Sequence, residues 1–271
     1  MTAEEIFRWI GEARRGNRAY FSNAFYTVSQ LQEFLAEKDV RVIASEDLIL
    51  LLQEDFGLYR VQFFARSPEA LSSLPALLPE LDGPIVVDLV GKEPAVGQQA
   101  ELVARYGFAP YSVFVRMICR DRILPSAKGI DRVELARESD AETILAMIER
   151  TFDPLFAHFP TIEEICEAIR REEISVIRDG DNIAGLAFFE KKSETYYILR
   201  YFIVDAGYRG QNIGGALLHS KFISAPEDTV YMLWVGTYNS AQSLYKKFGF
   251  VYDGLTDYIL KYGGNNRGED L

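Results

Sequence analysis

The chain of 271 residues is poor in the residues that build metal and disulfide scaffolds. It has two cysteines, Cys119 and Cys166, and two histidines, His158 and His219. The cysteines lie far apart and form no CxxC pair, so they read as buried free thiols and neither a metal centre nor a disulfide framework is expected. A basic run is also missing. The net charge is −11, divided as −4 over residues 1–125 and −7 over 126–271. General nucleic-acid binding needs a basic face, and neither half offers one. An anionic ligand must therefore be held by a local site and not by the overall field. Long apolar runs are absent: the longest aliphatic cluster, 48–52, is far short of the ~18 residues of a membrane span. The opening MTAEEIFRWI has no basic stretch leading into an apolar one, so it does not read as a signal peptide, and the expected compartment is the cytoplasm. What the chain does have is 48% apolar and 25% charged residues, the composition of a folded protein. Its length suits two ordinary domains.

Both halves alternate strand and helix signals. In the first, 31–37 reads as helix. Segments 40–44, 48–52, 58–65, 84–89 and 111–119 read as strands, and 96–106 as helix. Ser67, followed by Pro68 and Glu69, reads as the cap of a short helix to about residue 74. Residues 120–131 mix charge, Pro, Gly and Ser and read as a linker. In the second half, 132–136 is a strand. Ser139 with Glu142, and Thr161 with Glu164, read as capping boxes opening helices to about 152 and 172. Between these helices lies an aromatic loop, 153–160. Strands follow at 174–178, 183–191 and 195–204. A glycine loop leads to a helix ending near 223, then a strand at 230–235, a helix from Asn239 and closing strands through 260. The fold class is α/β with a mixed sheet. The division reads as a first domain at 1–125, a second at 126–262 and a flexible tail at 263–271.

The informative stretch is FIVDAGYRGQNIGG, 202–215. A strand ends at Val204, and a helix opens near Ile213 with Gly214 and Gly215 in its first turn. Each glycine costs about 1 kcal/mol against alanine inside a helix, so close approach of something to that backbone is the natural reason, whether a ligand or a packed strand. Unpaired N–H groups and the positive dipole end make such a turn a phosphate site, with Arg209 adding fixed charge. These residues resemble the acetyl-CoA signature Q/R-x-x-G-x-G/A of the GNAT superfamily of N-acetyltransferases, read here as Arg209, Gly210, Gln211, Asn212, Ile213 and Gly214. Asn212 stands where the family's first signature glycine is usual, and asparagine tolerates left-handed backbone next best. The later stretch NSAQSLYKKFGF, 239–250, resembles the family's N-x-x-A-x-x-L-Y-x-x-x-G-F at Ala241, Leu244, Tyr245, Gly249 and Phe250, with Asn239 one residue out of step and Tyr238 in the strict position.

The resemblance covers nearly the whole second half and implies roles. Backbone groups of Ile203 and Val204 would pair with the pantetheine arm. The N–H groups from Arg209 to Gly215 would hold the pyrophosphate, and Asn239 would touch the CoA arm. Tyr245 would donate a proton to the departing thiolate as an amine attacks the thioester. The implied partners are acetyl-CoA and a small-molecule amine, with no metal, nucleic acid or membrane. The family's strand carboxylate is missing, since Ile198 occupies its position. Glu190 and Glu194 are near in sequence, and a water chain or backbone carbonyl is an equal alternative. Arg200 reads either as a holder of a substrate carboxylate or as an ordinary paired arginine, and His158 as a contact from the loop over the acceptor. Tyr245 also reads as a packing tyrosine, Asn239 as a helix cap completed by Gln242, and His219 as a helix-end residue.

The first half resembles a degenerate copy of the same domain. QQAELVARYGF, 98–108, echoes the later motif, but Val103 stands where Tyr245 would. Strand 58–65 leads into Arg66-Ser67-Pro68-Glu69, without the glycine loop and with an acidic residue where a pyrophosphate would sit. The expected architecture is thus two tandem GNAT-like domains, of which only the second holds CoA.

Overall fold

The computed structural model describes residues 1–37, 40–78 and 83–263. Its helices are α1 (Ala3–Arg14), α2 (Val28–Glu37), α3 (Leu74–Leu77), α4 (Ala95–Ala104), α5 (Ala141–Thr151), α6 (Ile162–Arg170), α7 (Ile213–Ser224) and α8 (Gln242–Lys247). Its strands are β1 (Phe21–Ser22), β2 (Val40–Ala44), β3 (Leu48–Asp55), β4 (Leu58–Ala65), β5 (Ile85–Lys92), β6 (Phe108–Cys119), β7 (Val133–Leu135), β8 (Ile174–Asp179), β9 (Asn182–Ser193), β10 (Tyr196–Val204), β11 (Val230–Gly236) and β12 (Val251–Tyr262). They form two compact units. Unit 1 is Met1–Val113 with the end of the chain from Leu255, and unit 2 is Phe114–Gly254. The sequence reading draws a single line at 125/126. Here the chain passes between units within β6 and again within β12, so each unit takes a strand from the other half of the sequence.

In unit 1 the strands run β2-β3-β4-β5-β12, with β1 added to β4. The aliphatic run of β3 is buried on both faces, which is why it does not alternate. Leu50 and Leu52 join Val61, Phe63, Val87 and Leu89 under α4, through Val96, Ala100 and Val103. Ile49 and Leu51 turn to the other face, with Phe64, Ile6, Ile10 and Leu31 from α1 and α2. Helix α1 is a piece the sequence reading leaves out. It opens on a capping box in which Thr2 and Glu5 satisfy each other's backbone N–H.

In unit 2 the order is β6-β11-β10-β9-β8-β7. Helices α7 and α8 cover one face and α5 and α6 the other. The Thr161–Glu164 capping box forms as expected, with bonds of 3.2 and 2.8 Å. The Ser139–Glu142 box does not. Asp140 takes that place: its carboxylate accepts from the Arg137 N–H at 2.7 Å and pairs with Arg178, and α5 starts one residue later after a 3-10 turn. Burial raises the Asp140 pKa, but Arg178 and the Arg137 N–H more than offset this and hold it below the usual carboxylate range. Ser67 likewise precedes its short helix without a side-chain capping bond. Of residues 120–131, read as a linker, the first part is bonded within unit 2: Ile123 N–H donates to Phe248 O at 3.2 Å and Arg122 to Ala225 O at 3.2 Å.

Each unit contains one parallel strand pair that parts. In unit 2, β10 and β11 pair only at Tyr196↔Val230, Tyr197↔Tyr231 and Ile198↔Met232. Beyond that, β10 stays on β9 as far as Val204↔Gly185, and β11 stays on β6 as far as Gly236↔Phe114. The two strands therefore diverge after Ile198 and Met232. In unit 1, β4 and β5 pair at Tyr59↔Ile85 and Arg60↔Val86 and then part in the same way.

Candidate functional site

The opening in unit 2 exposes a strand edge. Asp205 N–H donates to Ala184 O at 3.0 Å. Along an antiparallel pair the bonded residues alternate, so Ile203 bonds towards β9 while the peptide groups of Phe202 and Val204 face the other way, into the opening. Of the expected pair Ile203 and Val204, the backbone of Val204 faces the opening. Ile203 is buried, with its side chain in the core under α5 and α6. A bulge lies just before this stretch. Leu199 pairs with Phe189 and Tyr201 with Phe188, leaving Arg200 between them.

The loop after β10 is held by Asp205. Its Oδ1 accepts from Gly207 N–H at 3.2 Å and its Oδ2 pairs with Arg150 at 2.8 Å. The sequence carried no signal for that long-range ion pair. Arg209, Gly210 and Gln211 follow on the surface, with Gly210 at φ 80°. Asn212 is left-handed, at φ 63°, a conformation asparagine accepts more readily than most residues. The hydrogen bonding of α7 begins with Ala216 N–H to Asn212 O at 3.0 Å, so the N–H groups of Ile213, Gly214 and Gly215 stand outside the helical ladder. The two glycines have packing reasons. A Cβ on Gly214 would lie 3.1 Å from both Leu244 and Phe202, and one on Gly215 would lie 2.6 Å from Asn212 Oδ1. The Ile213 side chain is buried against Gly185.

Helix α8 starts at Gln242, three residues later than the sequence reading places it. Asn239 Oδ1 accepts from Ala241 N–H at 2.9 Å, a local turn. Gln242 does not complete a box with it; its amide donates to Gly236 O and Thr237 O, each at 2.9 Å, and ties α8 to the end of β11. Asn239 itself is exposed. Tyr245 is 6% exposed. Its ring sits 5.8 Å from Phe202 and 5.7 Å from Phe250, and burial pushes its hydroxyl pKa up. Phe202 thus links the open strand edge to Tyr245 and to the start of α7.

The α5/α6 face carries the remaining expected residues. The Tyr201 hydroxyl donates to His158 O, and the Tyr201 ring meets Phe152 edge-on at 5.4 Å. Phe156 packs on Phe114 at 4.9 Å. The loop 153–160 is therefore tied to β10 at Tyr201 and to β6 at Phe114, and the His158 side chain is exposed. Arg200 Nη1 donates to Glu190 Oε2 at 3.0 Å. His219 is not a helix-end residue: it lies in the middle of α7, with Nδ1 2.9 Å from Pro125 O. Cys119 is buried, which pushes its thiol pKa up to about 11. Among the described residues no group of three His, Cys, Asp or Glu side chains could hold a metal ion, and no helix is long and apolar enough to cross a membrane.

Comparison with known proteins agrees with this geometry. Residues 170–252, from the end of α6 to the start of β12, match the acetyltransferase (GNAT) domain family. No curated protein sequence matches significantly. Among solved structures, a GCN5-related N-acetyltransferase from Kribbella flavida is similar over 88% of this chain and 94% of its own, with 16% identity and a TM-score of 0.57. One from Sphaerobacter thermophilus is similar over 96% and 91%, with 13% identity and a TM-score of 0.55. A tandem GNAT protein from the clavulanic acid biosynthesis pathway is similar over 98% of both chains, with 12% identity and a TM-score of 0.54. The chain thus has the tandem GNAT fold, carries a GNAT acetyltransferase domain in its second half, and is an acyltransferase.

Proposed function

We propose that unit 2 transfers the acetyl group of acetyl-CoA to the amine of a small molecule by direct attack. The observation that carries this reading is the parting of β10 from β11 after Ile198 and Met232, with the unladdered N–H groups of α7 following directly from the open strand. Phe202 and Val204 offer peptide groups of the spacing that a pantetheine arm's amides can meet. The N–H groups of Gly210 to Gly215, with the Arg209 guanidinium, suit a pyrophosphate by charge and by their place at a helix start, while the Arg209 N–H itself donates to Ala206 O at 3.4 Å. The exposed Asn239 stands at the end of β11, where it can reach the same arm. An acceptor ammonium must shed two protons in forming an amide. One leaves to solvent before attack, and the other balances the thiolate that departs as the C–S bond breaks. Tyr245 is assigned the second task, donating to sulfur as charge develops there.

A binding-only role draws on one observation. Tyr245 is enclosed by aromatic rings, and no hydrogen bond to its hydroxyl is found among the described residues. The two readings part on turnover. Free thiol released from acetyl-CoA in step with acetylated amine supports transfer. Tight acetyl-CoA binding with no thiol release across a broad amine panel leaves binding alone.

A further inference from the structure

Glu190 and Arg200 lie where an acceptor would meet the opening. Tyr245, α7 and α8 occupy one face of the unit 2 sheet, so an attacking amine must come from the α5/α6 face. Phe188 belongs to the α5/α6 core, and Glu190, two residues on, faces the same way. Glu190 is registered directly across from Ile198, the last residue of β10 that still pairs with β11. Directly opposed side chains share a face with Cβ atoms about 5 Å apart, so the Glu190 carboxylate stands at the root of the opening. Arg200 is the bulge residue at the start of the parted stretch, and its guanidinium reaches back to Glu190 at 3.0 Å. Lys192 pairs with the other carboxylate oxygen. Tyr201, the next residue, fastens the loop 153–160 beside this group.

The chemistry of the group is uneven. Two cations surround one carboxylate, all partly shielded, with side chains 24% exposed for Glu190, 38% for Arg200 and 45% for Lys192. Burial pushes the Glu190 pKa up, but Lys192 and Arg200 more than offset it, so it is anionic at neutral pH. The net positive excess disfavours a purely cationic acceptor. Arg200 commits Nη1 to Glu190 and also bonds the Tyr201 hydroxyl, and the donors that remain on its planar fork are suited to a carboxylate.

We propose that Arg200 and Glu190 select an aminocarboxylate acceptor, the guanidinium taking the carboxylate and Glu190 the ammonium of an amino acid or a molecule bearing both groups. This rests on the acetyl-transfer reading above.

The test uses the full chain, acetyl-CoA and matched pairs of amino acids and the amines that lack their carboxylate: phenylalanine with 2-phenylethylamine, lysine with cadaverine, glycine with methylamine. The wild type should prefer the acid member of an accepted pair by about tenfold or more in kcat/KM, as expected for a lost charge-assisted contact. Arg200→Gln should bring that ratio close to one, mainly through KM, and Arg200→Lys should restore part of it. Glu190→Gln should lower turnover of both members. Acetyl-CoA affinity, measured by calorimetry, should stay within about twofold in every variant, since none of these side chains serves the donor. Equal use of both members by the wild type, or a preference that survives Arg200→Gln, overturns the assignment. A wild-type chain that binds acetyl-CoA but acetylates no amine overturns the transfer reading, and this inference falls with it.

Discussion

The two units share an opening between parallel strands and differ in what fills it. In unit 1 the gap between β4 and β5 is filled by the chain itself. Residues Phe21 and Ser22 pair with Ala65 and Phe64, adding β1 to the parted edge of β4. The Asn23 amide then spans the gap, donating to Val61 O at 3.0 Å and Asp88 O at 3.2 Å while its Oδ1 accepts from Phe63 N–H at 2.7 Å. Ser22 Oγ donates to Phe63 O at 2.7 Å. In unit 2 the corresponding edge, at Phe202 and Val204, is left by β11, and among the described residues no such strand is added to it. The following helices differ in the same sense. Unit 1 continues into Pro68 and Glu69, a start that opposes an anion, and unit 2 into Arg209 and a turn of glycine N–H groups. The buried Val103 of α4 stands in unit 1 where the motif alignment puts Tyr245 in unit 2. On the proposed reading, the comparison shows how one fold can be kept while its binding edge is closed. A parted strand pair leaves peptide groups that must find partners, and either a ligand or the chain's own residues can supply them.

Four substitutions probe this contrast, taken in order of expected effect. Tyr245→Phe keeps the ring between Phe202 and Phe250 and removes only the hydroxyl. Turnover should fall roughly 10- to 1000-fold, mainly in kcat, with acetyl-CoA affinity within a few-fold, because general-acid catalysis contributes up to about 10²–10⁴. Steady-state kinetics with an accepted amine checks it, and wild-type kcat would remove Tyr245 from the mechanism. Arg209→Glu places in unit 2 the charge that Glu69 supplies in unit 1. Calorimetric acetyl-CoA affinity should weaken by about 10- to 100-fold while circular dichroism is unchanged, since Arg209 is exposed and its contribution is that of a charge-assisted contact. This is a cleaner probe than Gly214→Glu, whose Cβ would already press on Leu244 and Phe202.

The third substitution turns to the filled gap. Asn23→Ala leaves Val61 O, Asp88 O and Phe63 N–H without their side-chain partner. Each buried group so stranded costs about 1–3 kcal/mol, less where water enters, so denaturant unfolding should show a loss of about 2–4 kcal/mol. A loss within experimental error would mean that Asn23 is not what holds the gap. Asn212→Gly should be the mildest. Glycine suits φ 63° but frees the unfolded chain and removes the exposed donation of Asn212 Nδ2 to Lys128 O at 3.0 Å, so stability should fall by about 1 kcal/mol or less. Acetyl-CoA affinity should move by less than about threefold on the same grounds, as the backbone N–H is retained.

Much of unit 2 was legible because its signals are local. The Thr161–Glu164 box, the strand at 230–235 and the turn from Val204 into a glycine-bearing helix are each written within a dozen neighbouring residues. The unread features depend on partners distant in sequence. Ser139 was a plausible cap until Arg178, on another strand, claimed Asp140. Glu190 looked unplaced until register set it opposite Ile198. Nothing near Asn23 in sequence marks it as the residue that spans β4 and β5. A single boundary at 125/126 follows from composition, whereas the passage of β6 and β12 between the units follows from strand pairing, which composition does not encode. Gly214 and Gly215 show the converse: a local signal pointed to ligand approach, and the structure adds packing against Leu244, Phe202 and Asn212 at the same positions.

The account stands on the claim that unit 2 holds the acyl donor and unit 1, with its gap filled by residues 21–23, does not. Isothermal titration of the full chain with acetyl-CoA tests this most directly when run on the wild type and on Arg209→Glu side by side. The account predicts one site per wild-type chain and loss of most of that binding in the variant. Two sites per chain, or a single site whose affinity is untouched by Arg209→Glu, would contradict it.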